Sequence, residues 1–124
     1  MRKTFKFCLL FLGGILVLPS FTATGDPKPM FPKKVDAIIQ AKCYGCHSAD
    51  SKAQKAKDKL NWDALAGLPK EQLLEKVKSI QDVLDKGSMP PARFLEKNPQ
   101  DKLTDKETKA FKKWTSKKIK KLSK

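Results

Sequence analysis

The chain has 124 residues, with 27 Lys and Arg against 13 Asp and Glu, a formal charge of +14. That length holds one hydrophobic core and not two. Three cysteines and a single histidine exclude a disulfide-dense scaffold and any site that takes two histidines from one chain.

The chain opens as an export signal would. Arg2, Lys3 and Lys6 precede an uncharged run from Phe7 to Leu18, Pro19 and Ser20 break the run, and Ala23-Thr24-Gly25 offers a small-residue cleavage site. The run is shorter than the roughly 20 apolar residues of a membrane span. Residues 1–25 are therefore expected to be removed, and Cys8 with them. Removing 25 residues and their three cations would leave 99 residues and a charge of +11. The expected location is the periplasm of a Gram-negative bacterium, with membrane association only if the signal stays uncut. Export also argues against nucleic acid as the target of the lysines.

Residues 26–32 carry Pro27, Pro29 and Pro32 and read as an extended linker. The domain is placed at 33–124. Val35, Ile38, Ile39 and Lys42 follow at helical spacing and end at Cys43. Ser48 to Lys59 is polar and reads as a solvated loop or frayed helix, and Asn61 is a cap for a short turn through Leu65. From Lys70 to Lys86, Leu73, Val77, Ile80 and Leu84 make a narrow apolar stripe, flanked by Leu74 and Val83 and closed by Gly87. Ser88-Met89-Pro90-Pro91 must be non-helical, and Arg93 to Gln100 reads as a second loop. Thr104-Asp105-Lys106-Glu107 is a capping box that starts a last helix, with Phe111, Trp114, Ile119 and Leu122 on its apolar side. No stretch alternates with period two. The class is all-α, with three to four helices.

Cys43-Tyr44-Gly45-Cys46-His47 is the C-x-x-C-H spacing of c-type haem attachment. Two thiols three positions apart reach the two vinyl groups of a porphyrin, and the next residue, His47, is held beneath the iron as proximal ligand. A zinc ribbon needs a second ligand pair, which the chain lacks, and a thioredoxin-like pair needs a βαβ setting. With one histidine, the sixth iron ligand is expected to be a methionine, with a lysine, which must first lose its proton, as the fallback. Met30 lies in the linker. Met89, stiffened by two prolines, is the better placed. Six-coordinate iron suits outer-sphere electron transfer and leaves no position for a substrate, so no enzyme activity is expected.

These stretches, with Leu60-Asn61-Trp62, Gly87 to Pro91, and Lys102 to Glu107 running into Trp114, resemble a small monohaem c-type cytochrome, and more narrowly the short haem-binding domain family of exported bacterial proteins. The resemblance implies a cytochrome c-like fold around one covalent haem c, His47 and Met89 on the iron, and the last helix packed across the first. Asn98 stands where some members carry a histidine. Leu73, Val77, Ile80, Leu84 and Trp62 are expected to face the porphyrin, and Trp62 and Arg93 are candidate contacts to its propionates. The expected function is periplasmic electron transfer by a monomer to transient acidic redox proteins. The alternative is a haem sensor or peroxidase-like enzyme whose distal Met89 can be displaced.

Overall fold

The computed structural model describes residues 30–124. The expected signal, Cys8 and most of the linker lie outside them. The described residues are helical with no strand, as expected for an all-α chain. Three helices have ten residues or more: α1 (Lys33–Lys42), α5 (Lys70–Asp85) and α7 (Asp105–Leu122). Four are single turns or little more: α2 (Tyr44–His47), α3 (Gln54–Lys59), α4 (Trp62–Leu65) and α6 (Ala92–Leu95), with a 3-10 turn at Pro99–Asp101.

The long helices form where the apolar spacing placed them, and their ends follow local chemistry. Pro32 precedes α1, and its carbonyl accepts the Asp36 N–H. Gly87 closes α5 at φ +59°, a left-handed conformation that glycine adopts without a Cβ penalty. Thr104 caps α7 in a complete capping box, its hydroxyl accepting the Glu107 N–H while the Glu107 carboxylate accepts the Thr104 N–H. Asn61 caps α4 through the Asp63 N–H. The expected count of three to four helices holds for the long ones and misses the short ones. Arg93 to Gln100, expected as loop, holds α6 and the 3-10 turn. Pro91 and Pro99 each fix φ at the start of a turn, and carbonyl oxygens of the same stretch close it.

The core lies where α5 and α1 pack on α7. Leu73, Val77, Ile80 and Leu84 meet Phe111 and Trp114, which also cover Val35 and Ile39. Val77 is fully buried at 0% exposure. An aromatic cluster joins this core to α4. Phe31 meets Trp62 edge-on at 5.6 Å between ring centres and Trp114 at 5.1 Å, and Phe111 lies 6.1 Å from Trp62. Such pairs add about 0.5–1.5 kcal/mol each beyond area burial. The α1–α7 packing matches the helix pair implied by the resemblance.

Candidate functional site

A cavity of about 260 Å3 opens beside α2, lined from two parts of the chain. Cys43, Gly45, Cys46 and His47 come from the C-x-x-C-H turn, and Met89, Pro90, Pro91 and Phe94 from the stretch after α5. Between them the lining is mostly apolar, with Leu60, Ile80, Val83, Leu84, Leu103 and Phe111, and with Lys42 and Asp101 as its charged members.

The C-x-x-C-H turn is held rigidly. The Cys43 carbonyl accepts the N–H groups of Cys46 and His47, forming α2 as one helical turn. The Tyr44 hydroxyl donates to Asp63 at 2.6 Å, and the other Asp63 oxygen accepts the Ala49 N–H at 2.7 Å, tying both ends of α2 to α4. The Ala49 N–H, and then the Tyr44 hydroxyl, hold the Asp63 carboxyl below the usual carboxylate range. The same hydrogen bond raises the Tyr44 hydroxyl. Just before the motif, Lys42 donates to Glu107 at 2.7 Å and to the Lys102 carbonyl at 2.8 Å. This contact, followed by the Thr104 N–H, lowers the Glu107 carboxyl.

His47 is the key residue. Its Nδ1 lies 2.9 Å from the Ala56 carbonyl oxygen and 3.0 Å from that of Leu60. Both partners can only accept, so Nδ1 carries a proton, and Nε2 is the nitrogen left to serve as a ligand. A hydrogen bond of this kind is what orients an imidazole where it binds a metal. The thiols of Cys43 and Cys46 are both free, Cys43 half-buried and Cys46 exposed. Burial, with Cys46 adding, pushes the Cys43 thiol up to about 11, so it stays protonated at neutral pH.

The residues present fit a haem. Two thiols, an imidazole with a free Nε2 and a thioether line one mostly apolar cavity. Among the described residues no three His, Cys, Asp or Glu side chains gather to hold a bare metal ion, whereas a porphyrin brings its own four nitrogens. Trp62 is 6% exposed, and its buried indole N–H has no partner. Leaving such a donor unmade costs about 1–3 kcal/mol, and a carboxylate on a bound group would satisfy it.

The structure brings Cys43, Cys46, His47, Trp62 and Met89 to the cavity but not Arg93, which is exposed on α6 and does not line it. Of the four stripe residues expected on the porphyrin, Ile80 and Leu84 line the cavity, and Leu73 and Val77 pack in the core instead. A helix stripe marks burial but does not say against what. Met30 does not line the cavity: it packs against the core, and its carbonyl accepts the Trp114 indole N–H at 3.3 Å. Leu60, Phe94 and Leu103 also line the cavity, and as isolated apolar residues in short polar stretches they carry no periodic signal of it.

The haem-binding domain family matches residues 49–117, more than half of the chain, and the chain belongs to it. The match begins two residues after His47 and includes Trp62 and Met89. No curated protein and no solved structure matches the chain.

Proposed function

We propose that this haem-binding domain is an exported monohaem c-type cytochrome that passes single electrons between proteins and catalyses no reaction of its own. The observation that carries the reading is His47, whose Nδ1 is committed to two carbonyls while its ring lines the cavity shared by Cys43, Cys46 and Met89. When bound, haem supplies an iron that takes up and releases one electron. Cys43 and Cys46 would hold it through thioethers, His47 through Nε2, and Met89 through its thioether sulfur. The carbonyls of Ala56 and Leu60 keep His47 in one tautomer and one orientation, so little rearranges as charge changes. The mostly apolar lining from Leu60 to Phe111 would limit water around a bound haem, and a thioether in place of a second imidazole would raise the reduction potential. Trp62 would donate its orphaned N–H to a propionate. The mouth of the cavity has exposed Phe94, and Arg93, Lys97 and Lys102 lie exposed on and near the same segment. That combination of an apolar anchor and cations suits a transient acidic redox protein.

A second reading, a sensor or peroxidase-like site with displaceable Met89, is favoured by the weak attachment of the Met89 segment. Among the described residues, every hydrogen bond made by residues 89–101 ends within residues 91–102. One spectrum separates the readings. The ferric protein should show the near-infrared charge-transfer band of methionine-bound haem, lost in Met89→Ala, and the ferrous protein should bind carbon monoxide slowly. Rapid carbon monoxide binding with no such band supports the second reading instead.

A further inference from the structure

The excess charge is unevenly placed. Residues 108–124 hold eight lysines and no carboxylate side chain. Within α7, Lys106, Lys109, Lys113, Lys117 and Lys120 recur at steps of three and four, which puts them on one face of the helix. All five are exposed, and they lie opposite the buried face of Phe111, Trp114 and Thr115. At 1.5 Å per residue the row is about 21 Å long. None of the five side chains takes part in an ion pair or hydrogen bond among the described residues. Like charges at these spacings repel and weaken a helix. A counter-charged surface would turn that repulsion into attraction.

We propose that this row docks α7 lengthwise on an anionic phospholipid surface and leaves the cavity mouth free for redox partners. Three features favour lipid headgroups over an acidic protein. The row is all lysine, a residue depleted at protein interfaces, with no aromatic or arginine anchor. Among the described residues, the one exposed large hydrophobic, Phe94 at 36%, lies on α6 and not on α7. A straight ridge of cations needs only a flat, diffuse layer of negative charge, the chemistry of polybasic membrane contacts. The apolar face of α7 is already used in the core, so the helix lies on the surface without inserting. This surface is independent of what the cavity binds.

The test is sedimentation of the haem-loaded full chain with vesicles of phosphatidylcholine, alone or mixed in equal parts with phosphatidylglycerol. Binding to phosphatidylcholine alone, which the apolar N-terminal stretch would give where still attached, is subtracted. The expected result is salt-sensitive binding that requires phosphatidylglycerol. Replacing Lys113, Lys117 and Lys120 with Gln should weaken it roughly a hundredfold. Replacing Lys33, Lys34 and Lys52, exposed elsewhere and equal in charge, should weaken it several-fold at most. A second variant, Lys106→Gln with Lys109→Gln, should lose affinity in proportion, and circular dichroism should show unchanged helix in both. Equal losses in the row and control variants would reduce the effect to net charge and overturn the proposal. Absence of phosphatidylglycerol-dependent binding would also overturn it. So would a row variant that keeps vesicle binding while losing affinity for an acidic protein.

Discussion

The two stretches that line the cavity are anchored in different ways. The C-x-x-C-H side reaches across the fold at every step: Lys42 to Glu107 and Lys102, Tyr44 and Ala49 to Asp63, and His47 to Ala56 and Leu60. The Met89 side is bonded to itself. From Met89 to Asp101 only Pro90 is buried, and the turns at Pro91 and Pro99 close on their own carbonyls. Local opening costs least where few apolar contacts and few outward hydrogen bonds hold a segment. A group bound between these stretches would thus be fixed firmly from the motif side and lightly from the methionine side.

The largest expected effect comes from breaking the firm side. Replacing Cys43 and Cys46 together with Ala should abolish covalent haem and leave a chain without cooperative unfolding, read by absorbance and by the loss of a sigmoidal denaturation curve. Native-like cooperative unfolding in that variant would show that the helices do not need the bound group. Next, Phe111→Ala should cost the holoprotein about 3–5 kcal/mol in chemical denaturation, since the ring serves core and cavity together, while Phe94→Ala on the light side should change stability by about 0.5 kcal/mol or less. Equal costs would erase the contrast between the two sides. Met89→Ala should keep the haem and the fold, lose the near-infrared band and lower the reduction potential, measured by voltammetry.

The smallest effect concerns pH. The Asp63 carboxyl is depressed in the folded state, so its contribution is complete above the ordinary aspartate range near about 3.9 and is lost as pH falls through its lower folded value. Asp63→Asn should therefore lower stability modestly at neutral pH, converge with the parent protein in acid, and so flatten the acid limb of a stability–pH profile. An unchanged acid limb would mean that Asp63 does not brace α2.

Much of this arrangement was legible in the sequence, and the reason differs by element. The C-x-x-C-H spacing is chemistry that only one cofactor class uses well, and the capping box and Gly87 are local signals whose partners lie within a few residues. The stripe of α5 was equally visible, yet the sequence could not separate Leu73 and Val77, which pack in the core alone, from Ile80 and Leu84, which also line the cavity, because both environments reward the same apolar residues. The partners of His47 were invisible for another reason. Ala56 and Leu60 contribute backbone carbonyls, which every residue has, so only the path of α3 into α4 shows that they converge on Nδ1. Arg93 is exposed on the short helix after Pro91 and does not line the cavity, a placement that depends on the path of a segment with no periodic signal.

The central claim is that a haem is attached through Cys43 and Cys46, with His47 as its fixed ligand. Intact-mass analysis of the matured protein after extraction with acidified acetone tests it most directly. The account predicts a coloured chain heavier than its amino acids by one haem, which the solvent cannot remove. A colourless chain at its bare polypeptide mass, with the red colour in the solvent or nowhere, would contradict it.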